Sequence, residues 1–304
     1  MKKVVITGAN GFVGSSLVNE LSLLGIEIYA VVRDETSDIS RIHNHDHVHI
    51  IYCDLSNILQ LPAKITEKNI ETFYHLAWNG AMGELRSDYT TQLTNAKYTC
   101  DAAKAADLLG CEKFLTAGTV TENIVAQSLQ LPKPSQNMVY AICKNTTRQL
   151  LNVSSKPLKV QCIWMQFSNI YGPGDVTGNL ISYTLFELLK GNRPLFSKGA
   201  QYYDFLYITD LINAMILLGE SNLSKNFYFL GSGDSRLLSD YLEAVSNALD
   251  FDKSTIGIGE REEDGLKYCK EWFGIEDLRS DTGFIPQISY EEGIKLTADW
   301  IQGD

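Results

Sequence analysis

Tyr140 and Lys144 stand four residues apart in Tyr140-Ala141-Ile142-Cys143-Lys144, a YxxxK pair within a helical pattern that continues to Leu150 and Leu151. A spacing of i and i+4 sets the phenol and the ammonium on one helix face. A phenol with its ordinary pKa near ~10 is a weak acid–base catalyst at neutral pH, and a neighbouring ammonium brings it toward working range by favouring the phenolate. Upstream, Phe114-Leu115-Thr116-Ala117-Gly118-Thr119 reads as a strand whose end presents the Thr119 hydroxyl to a substrate oxygen. Thr119, Tyr140 and Lys144 are therefore the candidate catalytic set. Cys143 lies inside the motif, but helix geometry turns it away from the Tyr140–Lys144 face, and it reads as a small buried residue.

A second constellation lies at the start of the chain. Thr7-Gly8-Ala9-Asn10-Gly11-Phe12-Val13-Gly14 is a GxxGxxG run. It sits between a β-branched strand, Val4 to Thr7, and a helix carrying Val13, Leu17, Leu21 and Leu24 on one face. The first glycine permits a tight turn, the second lets a pyrophosphate approach the backbone, and the third lets helix and strand pack closely. The helix N-terminus then offers free N–H groups to the anion. At the end of the second strand an acid grips the ribose of NAD, whereas a basic residue accepts the 2′-phosphate of NADP. Here Tyr29-Ala30-Val31-Val32 runs into Arg33-Asp34, with apolar Val32 where the acid usually sits. Arg33 favours NADP(H), the adjacent Asp34 keeps NAD(H) as the alternative, and a solvated surface arginine is the plain reading.

The elements that must position these groups follow from apolar runs. Strands are expected at Val4–Thr7, Ile28–Val32, Val48–Tyr52, Thr72–Leu76 and Lys113–Thr116, with a long helix over roughly 84–109 between the last two. Strand and helix alternate, which predicts parallel βαβ units with right-handed crossovers. From about Ser168 the alternation breaks at Tyr171-Gly172-Pro173-Gly174. A helix is expected over 180–190, apolar runs at 205–208 and 227–230 are candidates to rejoin the sheet, and the tail past 235 reads as helices and loops. The expectation is an α/β chain with a doubly wound parallel sheet of Rossmann type and a smaller, interleaved C-terminal substrate-binding lobe. Residues 1–167 form the dinucleotide-binding domain and 168–304 mainly the substrate lobe, with parts near 205–235 returning to the sheet.

Composition narrows the class of partner. The chain has 304 residues, of which 44% are hydrophobic and 21% charged, enough for a packed core and unlike a disordered chain. With 26 basic and 37 acidic residues, the net charge of −11 argues against broad nucleic-acid binding. Cys53, Cys100, Cys111, Cys143, Cys162 and Cys269 are scattered without a CxxC, which suits free thiols in a reducing cytoplasm. The apolar run after Met1-Lys2-Lys3 is too short for a signal peptide and no segment reaches membrane-spanning length, so no membrane association is expected. His43, His45, His47 and His49 alternate along one side of an extended segment. Zinc is one reading of them; the plainer one is a solvated loop, and no metal is expected. His75 reads as packing near the glycine turn rather than as an acid–base group.

Gly8, Gly11 and Gly14, His75-Leu76-Ala77-Trp78, Thr119, Tyr140 with Lys144, and Asn169-Ile170-Tyr171-Gly172-Pro173-Gly174 together resemble an extended short-chain dehydrogenase/reductase of the NAD-dependent epimerase/dehydratase family. The resemblance runs on to Thr282-Gly283-Phe284-Ile285-Pro286 and Glu291-Glu292-Gly293-Ile294. It implies an NAD(P)-dependent enzyme acting on a nucleotide-diphosphate sugar. In it Thr119 orients the sugar oxygen, Tyr140 exchanges the proton, and Lys144 binds the nicotinamide ribose and lowers the tyrosine pKa. The cofactor set it implies is Gly8, Gly11, Phe12, Val13, Gly14, Arg33, Asp54, Leu55, Leu76, Ala77, Trp78, Asn95, Tyr140, Lys144 and Ile170. The substrate set is Trp78, Thr119, Asn169, Asn179 and Tyr203.

Within that family the dehydratases carry Thr-Asp-Glu at the active-site strand end; Thr119-Val120-Thr121-Glu122 lacks the acid pair, so dehydration is not expected. Tyr203-Asp204-Phe205 replaces the Arg-Asp-Phe of common epimerases. That aromatic, with the 75–80 and 117–119 segments, is similar to CDP-abequose synthase-type 4-ketoreductases, which reduce a CDP-4-keto-6-deoxyhexose with NADPH. Gln166, where many relatives have arginine, and Asn123, where that subgroup has tyrosine, depart from the pattern. Three readings stay open: such a ketoreductase, a nucleotide-sugar epimerase with tightly bound NAD(H), and a non-catalytic dinucleotide-binding sensor or scaffold. Family resemblance also implies a homodimer through the 84–109 and 137–154 helices.

Overall fold

A computed structural model describes residues 1–131 and 133–303. The chain opens with β1 (Lys3–Thr7), α1 (Phe12–Leu23), β2 (Glu27–Val32), β3 (Val48–Tyr52), a short α2 (Leu61–Lys64), β4 (Thr72–His75), α3 (Tyr89–Leu109), β5 (Lys113–Thr119), α4 (Met138–Ser154) and β6 (Gln161–Phe167). It continues through β7 (Asn169–Tyr171), α5 (Leu180–Leu189), β8 (Leu195–Phe196), β9 (Tyr202–Tyr203), β10 (Phe205–Tyr207), α6 (Ile208–Glu220) and β11 (Phe227–Leu230). The last elements are β12 (Arg236–Leu237), α7 (Leu238–Ala248), β13 (Gly257–Ile258), α8 (Glu276–Thr282) and α9 (Tyr290–Gln302).

Seven strands form one sheet in the order β11-β6-β5-β4-β1-β2-β3, and all its pairings are parallel. β1 lies inside it and is covered on both faces. Val4 and Ile6 enter one apolar layer and Val5 the other. Double coverage is why these strands read as unbroken apolar runs rather than alternating ones. The chain leaves β1 toward β2 and β3, then crosses back to β4 on the other side of β1. That reversal opens a crevice beyond the carboxyl ends of β1 and β4, where an open α/β sheet binds its ligand.

The structure departs from the sequence expectation in three places. The helix expected over 84–109 is broken: Glu84–Arg86 is a single 3-10 turn, and α3 starts at Tyr89 because the Asp88 carboxylate accepts the Thr91 N–H at 2.8 Å. The apolar run at 205–208 does not rejoin the large sheet; β10 pairs in parallel with β7 in a separate two-stranded ladder, while the 227–230 run is the edge strand β11. Finally, β6 is a strand that the apolar pattern does not single out, and it pairs along β5 from Lys113 to Thr119.

β8 with β13 and β9 with β12 complete the smaller ladders. Tyr171, Phe205, Tyr241 and Tyr290 fill the space between them with largely edge-to-face contacts, the Tyr241 and Tyr290 rings lying 4.6 Å apart. Buried Asp204 joins this region to the sheet: its carboxylate accepts the Ser168 hydroxyl at 2.6 Å and the Ser232 and Gly233 N–H groups at 2.9 and 3.0 Å. Among the described residues no helix is long and apolar enough to cross a membrane.

Candidate active site

The crevice at the β1–β4 reversal is a cavity of about 660 Å³. Gly8, Gly11, Arg33, Asp54, Leu55, Leu76, Ala77 and Trp78 line it. Gly8 has φ of +68°, and a Cβ there would stand 2.8 Å from the Ala77 backbone nitrogen. A side chain on Gly14 would run into the Gly8 carbonyl oxygen, so this glycine lets α1 pack on the turn. Gly11 is the N-cap of α1 and supplies no side-chain cap, which leaves the helix's first N–H groups for an anion. These features fit a dinucleotide. The backbone from Gly8 to Gly11 would hold the pyrophosphate, and Arg33, Asp54 and Leu55 would flank its outer nucleoside. The Arg33 guanidinium is exposed and lies 3.9 Å from Asp54, whereas the Asp34 carboxylate accepts the Thr36 N–H and hydroxyl at 2.9 and 2.7 Å within its own turn.

Trp78 connects this cavity to the candidate catalytic set, Thr119, Tyr140 and Lys144. The Lys144 ammonium lies 3.8 Å from the Trp78 ring centroid and donates to the Ala117 carbonyl at 2.7 Å. The Tyr140 ring meets Trp78 edge-on with centroids 6.0 Å apart, and Lys144 Nζ is 5.9 Å from the Tyr140 ring. Burial pushes the Tyr140 phenol up to about 12, against the pull of the Arg86 charge and of Thr119 hydrogen bonding. Burial likewise presses the Lys144 ammonium well below its ordinary value, with Glu122 opposing that shift. Burial therefore favours the protonated form of this phenol over the phenolate.

The Thr119 hydroxyl caps the helical turn after β5. Its Oγ1 lies 3.1 Å from the Thr121 hydroxyl, and its backbone N–H donates to Glu122 at 2.7 Å. Glu122 is the residue that motif spacing misses. Its carboxylate accepts the Trp164 indole N–H at 3.1 Å and lies 3.7 Å from Arg148. Burial raises it, opposed by the Thr119 N–H and by the charges of Arg148 and Lys144. Gln166 and Asn123, the two departures from the family pattern, hydrogen-bond to each other at 3.2 and 3.3 Å. Arg86 is also new: its guanidinium sits 3.9 Å over the Tyr140 ring.

The remaining sequence-derived residues make the following contacts around this centre. Phe12 and Val13 pack under the turn against the core. Asn95 clamps the backbone of Asn79 through two bonds of 3.0 and 2.7 Å. Asn169 donates to the Asp204 carbonyl at 3.0 Å, Ile170 pairs with Leu206, and Asn179 caps α5 while donating to the Ile170 carbonyl at 2.8 Å. Tyr203 stacks between Phe205 and Tyr268, at 5.7 and 5.0 Å. His75 is buried and accepts or donates at Thr7 Oγ1, 2.8 Å away. His47 and His49 both face Glu27. Cys143 is buried, as is Leu151, while Leu150 is half exposed.

A doubly wound parallel sheet with an uncapped glycine turn and a buried Tyr–Lys pair beside it defines a dinucleotide-dependent enzyme of the short-chain dehydrogenase/reductase type. The chain belongs to the NAD dependent epimerase/dehydratase family, whose model matches residues 4–231. It is 23% identical to CDP-abequose synthase of Salmonella typhimurium, with 96% of each chain covered. It is 21% identical to dTDP-glucose 4,6-dehydratase of the same organism, over 98% of this chain and 92% of that one. Among solved structures, the UDP-glucose 4-epimerase of Thermotoga maritima superposes with a TM-score of 0.80 at 18% identity, covering 99% of both chains. MoeE5, solved with UDP-glucuronic acid and NAD, gives 0.78 at 20% identity, again over 99% of both.

Proposed function

We propose that the protein is a cytoplasmic nucleotide-sugar oxidoreductase that reduces a 4-keto-6-deoxyhexose linked to a nucleotide, CDP in this reading, with NADPH. The observation that carries this is the buried Tyr140 ring packed edge-on against Trp78 at the inner wall of the dinucleotide cleft, with Lys144 Nζ 5.9 Å from the same ring and 3.8 Å over the indole. Bound in that cleft, NADPH supplies the hydride. Tyr140 gives its phenolic proton to the developing alkoxide, and Thr119 hydrogen-bonds the same oxygen. Lys144 stabilises the phenolate that remains. Trp78 covers the pair and keeps water from the reacting oxygen.

The 119–122 run does not offer the acid pair that dehydration would use. Val120 is buried, Thr121 is bound to Thr119, and Glu122 is committed to Trp164 and Thr119. Arg33 on the cleft wall, with Asp34 engaged by Thr36, supports NADP(H) over NAD(H). Similarity to a CDP-abequose synthase along nearly the whole chain supports the nucleotide-sugar class. Apolar Leu93, Ile142 and Val153, exposed on α3 and α4, support a homodimer through those helices.

The test is the nicotinamide absorbance of the purified protein with NADPH, then NADH, against nucleotide-linked 4-keto-6-deoxy sugars and ordinary nucleotide hexoses. The expected outcome is stoichiometric loss of NADPH with one keto sugar. Isomerised sugar without net cofactor loss would make the protein an epimerase, and no change in any mixture would end the oxidoreductase reading.

A further inference from the structure

We infer that Arg86 is a positioning residue for the acid–base tyrosine: it clamps the Tyr140 ring against the Thr119–Lys144 side of the site and supplies a second positive charge beside the phenol. The inference rests on Tyr140 being the proton donor, as proposed above. No sequence motif marks Arg86, and the geometry alone brings it forward.

The guanidinium carbon lies 3.9 Å from the centroid of the Tyr140 ring, within the range of a cation–π contact. Its outer nitrogen donates to the Ala81 carbonyl, so the planar group is tethered at the far end. No carboxylate of the described residues lies within ion-pairing distance of it. An arginine in a partly buried position without an anion is held there by other contacts, and these are specific.

The segment that carries Arg86 is braced from α3. Buried Gln92 donates to the carbonyls of Gly80 and Leu85 at 2.8 and 2.9 Å and accepts the Trp78 indole N–H at 2.8 Å. Asn95 holds Asn79. One helix face therefore fixes Trp78, which covers Lys144, and the turn that aims Arg86 at Tyr140. The two cations approach the phenol from different elements, Lys144 from its own helix and Arg86 from the loop.

Among the described residues, the Arg86 charge and hydrogen bonding from Arg86 and Thr119 favour the phenolate, Glu122 beyond Thr119 opposes it, and Lys144 Nζ stands 5.9 Å from the ring. Arg86 charge also reaches Tyr268, which stacks on Tyr203. Without Arg86 the phenol keeps its burial and its repulsion from Glu122 but loses the nearer cation, and it becomes a weaker proton donor.

Two readouts test this on the whole protein. In the first, a ring-fluorinated tyrosine, more acidic than tyrosine itself, replaces Tyr140, and its ¹⁹F resonance is followed against pH with NADP⁺ present. Arg86→Gln is expected to move the midpoint upward by about 0.5–1 pH unit, roughly a threefold to tenfold change in the ionisation constant. Arg86→Lys is expected to recover most of that shift. In the second, Arg86→Gln lowers kcat by about tenfold to a hundredfold with the pH–rate limb displaced the same way, and KM changes less than kcat.

An unmoved ¹⁹F midpoint in Arg86→Gln would overturn the inference. So would a rise in KM alone, which would make Arg86 a substrate contact. Because the ¹⁹F titration needs no turnover, a wild-type protein that reduces no keto sugar while Arg86→Gln still moves the midpoint would refute the proposed function and leave the Arg86 inference standing.

Discussion

Removing a single oxygen from Tyr140 separates chemistry from binding. Tyr140→Phe keeps the ring that meets Trp78 and Arg86 but removes the only proton that burial holds on the phenol. General acid catalysis by one positioned group is worth about 10²–10⁴-fold, so kcat should fall by that factor. NADPH affinity, read by nicotinamide fluorescence, should stay within about twofold, since the glycine turn and Arg33 are untouched. Surviving turnover at wild-type rate would remove Tyr140 from its role. At this scale the sequence is readable where chemistry demands a fixed local spacing. Tyr140 and Lys144 are legible that way, Thr119 as the hydroxyl at a strand end, and Lys144 Nζ lies 5.9 Å from the Tyr140 ring. Arg86 and Glu122 are not legible in this way, because their partners lie on other elements and no periodicity links them. Asn95 and Asn179 show a further limit, since in this structure their amides also hold the backbone of Asn79, and of Ile170 and the start of α5. A motif identifies an amide without saying which backbone group it faces.

The β1–α1 turn is the element on which the cofactor cradle depends. Gly8→Ala would place a methyl 2.8 Å from the Ala77 nitrogen on a backbone with φ of +68°. Either the turn or the 76–78 segment must shift, and both line the cleft. The expected result is NADPH affinity weakened by tenfold or more and stability lowered by about 1–3 kcal/mol, measured by fluorescence titration and urea unfolding. Wild-type affinity in Gly8→Ala would show that the cofactor does not approach this turn. The turn was legible because strand, glycines and helix follow one another without interruption. The same holds for β1 and β2, whose double burial writes itself as apolar runs rich in valine and isoleucine. What was not legible is pairing. The apolar run at 205–207 looks like any other, and only the tertiary structure directs it to β7 instead of the sheet. Nor does helical periodicity reveal that one carboxylate, Asp88, restarts a helix at Tyr89.

Acid stability is a property of the whole fold to which one buried imidazole contributes. His75 joins β4 to β1 through Thr7, faces α3 through Thr99, and stacks on Phe114 of β5 with centroids 5.6 Å apart. Thr99 donates its proton to the Asn95 carbonyl at 3.0 Å, which leaves its oxygen to accept from Nε2–H and leaves Nδ1 to accept from Thr7. A second ring proton would require the Thr7 hydroxyl to turn from donor to acceptor. Burial, with the Lys144 charge adding to it, drives the imidazole down to about 3 from its ordinary 6.5. The unfolded chain binds that proton more readily than the folded one. The contribution of His75 is therefore complete above about pH 6.5 and is lost as pH falls toward about 3, at about 1.4 kcal/mol per unit. Between pH 7 and pH 5 the loss should be about 2 kcal/mol. Glu122 and Asp204, whose pKa values burial raises, act in the opposite sense and favour the folded state on acidification. The difference between wild type and His75→Gln isolates the imidazole from them. Urea unfolding at the two pH values should show the wild type losing about 2 kcal/mol more than His75→Gln, whatever the variant's stability at pH 7. Equal losses in the two proteins would mean that His75 is already charged in the fold or that water reaches it.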